Sequence, residues 1–536
     1  MLTSLLCMTA LLLRAQEFVD INGNLFPLDR VKQIRSSWRE HPESLSLLLK
    51  ADTTITLFTQ ALEATGWMDS LKCYSDKTYT VGADSTNWTN ERLVFSTATE
   101  YDNVAYMAKR LIAHTVFAEP DFVYRQKGIS SLDDLKAYAA QVYSAVYPED
   151  IQATDDVTDL RHPLNRFVAY HILPFGANYY RLTCVDGPNS TLALNWNRDQ
   201  QDIADWYETS MPHSLMKCSF PSGPNTGLYI NRRGVQFLSD ERGVYVRGAR
   251  VADPGEAGSI EAVNGYCFYI DDIIDYGQRT QQVVLNERMR IDCSTLSPDF
   301  ITSGARGHYT RSNYEGGKYG TWDSSSRPTN KQTCLGFKPG AARNFRFSPT
   351  THLHVRPRTL SFWSYEGDEV IIQGPFDVEV KLPPVPAGTY ELRLGTCTDF
   401  TSRGVVEFLI DGKPTDLVDL RPSGTALFGW KSDASFGSEE DIARFDYISH
   451  KKGWMKGPKS YYSAASESGG TQGICFRDAA NILRRVIGTF TTDGRSDHYL
   501  RMVQCQASLL STMAFDYIEL VPVTVYGDEL YAEDRW

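Results

Sequence analysis

A chain of 536 residues with 54 basic and 66 acidic side chains carries a formal charge of -12, and its residues are 42% hydrophobic and 22% charged. Those proportions belong to a folded globular protein and exclude extensive disorder or a polytopic membrane protein; acidic charge spread without basic runs also excludes phosphate-driven nucleic-acid binding. The length exceeds the roughly 250–300 residues at which one hydrophobic core stops growing, so two large domains are expected.

The first element is the apolar stretch MLTSLLCMTALLL ahead of Arg14. It falls short of the ~20 residues that a membrane-spanning helix needs. It reads as a signal peptide over residues 1–16, with Ala15 near the cleavage point and no basic n-region. Export to the cell surface, the outer membrane or the medium is therefore expected, with no transmembrane helix in the mature chain; SLLC around Cys7 is a poor lipidation context. Of the ten cysteines, those beyond Cys7 are scattered and form no CxxC pair. That scatter argues against a zinc knuckle or a dense disulfide framework and for small buried hydrophobes.

ESLSLLLKADTTITLFTQALEATGWMDSLK, from Glu43 to Lys72, carries apolar residues through two short helical segments, with Gly66 as the stop. SLDDLKAYAAQVYSAVY then places Leu135, Tyr138, Ala139, Val142 and Val146 at helical spacing, behind a capping signal from Ser131 and Asp134. The acidic segment from Tyr147 to Pro163 reads as a surface loop. NRFVAYHILPFG follows, an apolar run that holds Tyr170 and His171 and is stopped by Pro174. A histidine at such a junction can donate from one ring nitrogen and accept at the other, tying backbone groups left unpaired there. A catalytic histidine needs a nucleophile or carboxylate beside it, and no GxSxG or HExxH motif supplies one.

From about Arg288 onward the period changes to two. FDVEVKL puts Phe376, Val378, Val380 and Leu382 on one face, PPVPAG turns the chain, and TYELRLG resumes through Tyr390, Leu392 and Leu394, so an antiparallel hairpin is expected. VVEFLIDGKP carries a hairpin turn at Asp411-Gly412, and AFDYIELVPV is the last strand. Ser303 to Thr333, rich in Gly, Ser, Asn, Arg and Tyr, reads as a long surface loop. Antiparallel strands with few helices between them predict a two-sheet sandwich. The overall expectation is α+β: a mixed α/β-sheet domain over 31–285, an antiparallel β-sandwich over 286–525 and a tail over 526–536.

Three segments of the first half, in order, resemble the fasciclin-like domain, an extracellular α+β module used in adhesion. TVFAEPDFVY (Thr115–Tyr124) is similar to its first signature, NRFVAYHILPFG to its second, and NGYCFYIDDII (Asn264–Ile274) to its closing strand. GTYELRLG, LIDGKP and FDYIELVP resemble the framework of a galactose-binding-like or carbohydrate-binding sandwich, and the whole arrangement resembles exported Bacteroidetes proteins that sit beside glycan-uptake systems. The resemblance implies adhesion or protein–protein contact through the first half, with Tyr170 and His171 as binding residues.

The second half offers its own candidates. In SFWSYEGDE, Trp363 and Tyr365 alternate onto one face where a sugar could stack, with Glu366 and Asp368 as hydroxyl partners; aromatics at that period also fill sandwich cores. His352 and His354 share a strand face, but two ligands do not make a metal site. Carboxylates such as Asp271, Asp272, Asp275 and Glu369 are plentiful, yet sequence does not show the separation a glycosidase needs. The expectation is a non-catalytic exported surface protein without a metal or other cofactor, whose partner is an extracellular or outer-membrane protein. The alternatives are a glycan-binding accessory of a polysaccharide-uptake system and a glycan-processing enzyme.

Overall fold

The computed structural model describes residues 18–21, 24–27, 44–79, 88–95, 100–107, 110–150, 154–183, 203–221, 227–234, 245–253, 258–306, 333–356, 365, 369–459, 475–506 and 511–526. The signal-peptide expectation and most of the Ser303–Thr333 loop lie outside them. Among the described residues, no helix is long and apolar enough to cross a membrane.

Helices α1 (Leu45–Ala51) and α2 (Thr56–Ala64) bury one face each, Leu45 and Leu49 in the first and Leu57, Phe58, Ala61 and Leu62 in the second. Gly66 then adopts φ 81°, a conformation that suits a residue without Cβ, and the chain turns into the short helix Trp67–Ser70. Helix α3 (Leu132–Ser144) starts on the expected capping box: Ser131 Oγ accepts from the Asp134 amide, and the Asp134 carboxylate accepts from the Ser131 amide. Its buried residues Leu135, Ala139 and Tyr143 recur every four positions. Helix α4 (Pro163–Tyr170) has proline in its first turn and is buried from Leu164 to Tyr170.

These helices pack on a four-stranded sheet made of β1 (His114–Ala118), β2 (Ile172–Leu173), β3 (Ser259–Ala262) and β4 (Gly265–Tyr269), in the order β3-β4-β1-β2. β4 runs parallel to β1 with Gly265 opposite His114, while β1 and β2 are antiparallel. The three segments that resemble the fasciclin-like signatures thus lie side by side. Gly265 sits at φ 145°, and a Cβ there would overlap the His114 carbonyl oxygen.

The second half is built mainly from antiparallel sheets that pack as a sandwich. One has the order β5-β9-β6-β8-β7, from β5 (Met289–Asp292), β6 (Gly388–Cys397), β7 (Trp454–Lys456), β8 (Ile482–Thr492) and β9 (Tyr517–Pro522). The other contains Asp377–Lys381, Tyr499–Gln504, Val405–Ile410 and Lys413–Asp419. Val378 and Val380 point into the core as their alternation predicts, and Asp411 and Gly412, both at positive φ, close the expected hairpin. The mixed α+β class is as read from the sequence.

The expected FDVEVKL–TYELRLG hairpin does not form. The strand Asp377–Lys381 pairs with Tyr499–Gln504 in one sheet, whereas β6 pairs with β8 and β9 in the other. The proline-rich link therefore carries the chain between the two layers. The last strand also divides: Thr512–Phe515 pairs with Glu369–Gln373, and after Asp516 the chain enters β9 beside β6.

The halves share structure across residue 285. The strand Glu100–Met107 lies parallel to Thr333–Phe337 in a six-stranded sheet, and a single apolar cluster includes residues from Leu45 to Leu520. Polar links join them too: Arg110 reaches the Asp299 carboxylate at 3.6 Å, and Lys381 reaches Glu208 at 2.6 Å.

Burial of His114, with Arg343 adding a smaller repulsion, brings its imidazole down to about 4 from 6.5. As pH falls below 6.5, the unfolded chain gains a proton that the folded one refuses until about pH 4. The contribution to stability is full above pH 6.5 and is lost toward pH 4, by about 3 kcal/mol. Urea midpoints measured across this window should fall for the parent and flatten in His114→Gln; equal slopes would refute the assignment.

Candidate functional site

His171 closes α4 and leads into β2, and its ring is fully buried. Nδ1 donates to the Phe167 carbonyl at 2.7 Å, since a carbonyl can only accept, and Nε2 shares a proton with Glu119 Oε1 at 2.8 Å. The other oxygen of Glu119 accepts from the Tyr124 hydroxyl at 2.7 Å. The ring therefore ties a helix end to the residue that follows β1, with Phe167 and Phe58 packed against it. Tyr170 is buried as well: its hydroxyl donates to Leu215 O at 3.2 Å and accepts from Asn231 Nδ2 at 2.9 Å. Neither side chain reaches solvent, so direct contact of this pair with a partner has no surface to use.

The candidates of the second half are dispersed. Tyr365 is 1% exposed, its ring 5.1 Å from that of Tyr517, and its amide donates to Asp516 at 2.9 Å. It is a core aromatic rather than a sugar platform, packed with Phe476, Ile482 and Tyr517. Trp363, Glu366 and Asp368 lie outside the described residues. His354 is buried and His352 half-buried, and among the described residues no group of three or more His, Cys, Asp or Glu could hold a metal. Asp271 pairs with Arg247, Asp272 with Lys127, and Asp275 accepts from the Tyr138 hydroxyl at 2.8 Å. Cys218, Cys267, Cys293 and Cys475 are buried, and burial pushes the Cys218 and Cys267 thiols up.

An open groove of about 550 Å³ lies at the other edge of the β1–β4 sheet. Its walls are Leu48 and Ala51 of α1 with the capping residue Asp52, Ser259, Ile260 and Glu261 of the edge strand β3, Tyr266 and Phe268 of β4, and Asn178, Tyr179 and Tyr180. The period of two produces this surface. Tyr266 and Phe268 project from one face of β4 with rings 6.1 Å apart and parallel within 2°, and Ser259 and Glu261 stand opposite them across the β3–β4 ladder. A one-turn helix presents Tyr179 and Tyr180, capped by Asn178, which accepts from the Arg181 amide at 3.1 Å. Tyr180 and Tyr266 are half-buried and Phe268 forms the floor.

No protein-family model matches this sequence, and no curated protein does. Among solved structures, a family 35 carbohydrate-binding module from Clostridium thermocellum is 7% identical, over 35% of this chain and 96% of that module, at a TM-score of 0.17. The CBM22-1 xylan-binding domain of Xyn10C from Paenibacillus barcinonensis is 9% identical, over 34% of this chain and 89% of the domain, also at 0.17. An exo-β-1,3-galactanase from Phanerochaete chrysosporium is 10% identical over 35% of this chain and 30% of its own, at 0.17. Scores of this size carry no argument about what this chain binds.

Chemically, the groove offers flat aromatic faces beside hydroxyl, amide and carboxylate groups. Both oxygens of Asp52 are engaged, Oδ1 by the Thr54 amide at 2.8 Å and Oδ2 by the Tyr269 hydroxyl. Glu261 bonds the Tyr266 hydroxyl, and that contact adds to burial in pushing the phenol up. The Tyr179 hydroxyl donates to Asp253 at 2.6 Å and accepts from the Leu228 amide at 2.7 Å, which fixes its ring. Nothing local in the chain marks this groove; the one signal that could have found it is the aromatic alternation in NGYCFYID.

Proposed function

We propose that this chain is a non-catalytic glycan-binding protein whose sugar site is the groove of Tyr180, Tyr266 and Phe268, in an exported protein. The observation that carries the reading is the parallel pair Tyr266–Phe268 within a groove of about 550 Å³. That volume lies in the ordinary range of ligand sites, and the C–H face of a pyranose packs on such rings at small entropic loss. Asn178 and Ser259 are placed to meet hydroxyls.

The test is isothermal titration of the full chain against a panel of oligosaccharides, repeated with Tyr266→Ala and Tyr180→Ala. Each replacement should weaken binding by about 1 kcal/mol, roughly fivefold, in protein whose circular dichroism matches the parent at the titration temperature. Retention that ignores both substitutions would remove the groove as the site. Adhesion by protein contact is the second reading, favoured by the edge position of β3, whose outer side borders the same groove. Capture of an extended peptide in place of any glycan would support it.

A further inference from the structure

The charge of the groove narrows its ligand. Among its described lining residues two are carboxylates, Asp52 and Glu261, and none is a lysine or arginine. A third carboxylate, Asp253, stands behind the rim, where it holds the Tyr179 hydroxyl. Among the described residues, two cations reach this region: Arg250, which is bonded to Asp253, and Arg181, which follows the tyrosines of the groove wall and whose charge acts on the Tyr266 phenol. Three acids against two bases leave the site negative, inside a chain that is itself acidic. Recognition of a uronate or a sulfated sugar ordinarily uses guanidinium or ammonium donors, and a bidentate arginine is the usual form. The described lining supplies only acceptors and uncharged polar groups.

We infer that the groove selects a non-acidic glycan and rejects uronate-rich and sulfated chains. This rests on the groove being the sugar site. Hydrogen bonds from neutral hydroxyls to Asn178, Ser259 and the two carboxylates suffer no repulsion, whereas an anionic sugar brought within about 4 Å of Glu261 meets roughly 1 kcal/mol of repulsion even with the dielectric of water. Apolar stacking on Tyr266 and Phe268 is insensitive to salt, so binding of a neutral chain should change little with ionic strength, while residual binding of an acidic chain should rise as salt screens the groove.

The experiment is titration of the full chain with neutral gluco-, manno- and xylo-oligosaccharides and with oligogalacturonate and a sulfated oligosaccharide, at low and at high salt. The same series is then run with Glu261→Gln and with Tyr266→Ala. The expected result is binding of at least one neutral series, weakened by Tyr266→Ala, with the acidic series at least about tenfold weaker at low salt. Glu261→Gln should narrow that gap by roughly fivefold. Preference for an acidic series that is lost in Tyr266→Ala would overturn the selectivity and leave the groove as the site. A gap that Glu261→Gln leaves untouched would assign the discrimination to the net charge of the chain and overturn the inference. Failure of every glycan to bind would overturn the site itself.

Discussion

Replacing His171 with alanine is expected to lower the unfolding free energy by about 3–5 kcal/mol, the range for breaking a buried pair by removing one partner. The variant loses the tie from Nδ1 to Phe167 O and leaves Glu119 fully buried without the ring that faces Oε1. Glu119 keeps the Tyr124 hydroxyl and a long contact from the Ile274 amide at 3.4 Å, and loses the strongest partner of Oε1. Much of the loss therefore belongs to the stranded carboxylate rather than to the ring. The double variant His171→Ala with Glu119→Gln should be more stable than the sum of the single effects, a coupling that equilibrium urea unfolding of the four proteins measures directly. A binding role for His171 makes the opposite prediction. If His171→Ala unfolds at the parental midpoint yet no longer engages a partner, the internal-brace assignment is wrong.

The parts of this fold that were legible in the sequence are those set by neighbours in the chain. The Ser131–Asp134 capping box, the Gly66 stop and the Asp411-Gly412 hairpin each depend on a handful of consecutive residues, and each is present. Pairing across the chain was not legible. Glu119 lies 52 positions from the histidine it meets, and nothing in TVFAEP distinguishes a buried glutamate from a solvated one. Alternation misled where both sides of a strand are covered. In TYELRLG the polar positions Glu391 and Arg393 have the period of a solvent face, yet they are buried, Arg393 Nε donating to Glu391 Oε1 at 2.5 Å. A charged residue that is paired inside and one that faces water are spelled alike.

The same limit hid the sandwich's connectivity. PPVPAG suits a tight turn and a crossing between layers equally well, and the choice is made by Tyr499–Gln504 and Ile482–Thr492, more than a hundred residues in some cases from the strands they join. The groove failed to announce itself for a related reason. Its walls come from α1, a one-turn helix near residue 179 and β3–β4, three segments far apart in the chain that meet only through tertiary contacts such as Leu45 with Asn264 and Tyr179 with Phe268.

Glu391 and Arg393 are the margin of a larger charged layer, and its centre should be the most sensitive carboxylate in the second half. Glu519 of β9 is fully buried; Arg290 of β5 donates from Nε to Oε1 at 2.8 Å, Arg393 of β6 reaches Oε2 at 3.3 Å, and Arg484 of β8 stands 3.4 Å from it. Burial alone would push the carboxyl up, but the guanidinium groups of Arg484 and Arg290 outweigh it and hold the group well below its ordinary value of 4.5. Glu519→Gln preserves the shape and removes the charge that four strands share, so a loss of about 3–5 kcal/mol is expected. Because the folded form is the weaker base, this stabilisation is complete above pH 4.5 and disappears as pH falls below it through the folded value. The acid limb from Glu519 thus begins near the pH where that from His114 ends. Urea unfolding should show the parent losing stability in two successive stages on acidification, with Glu519→Gln lacking the lower one and His114→Gln the upper. A variant at Glu519 that matched the parent at pH 7 would mean that the arginines are held by other groups and that this carboxylate does not organise the layer.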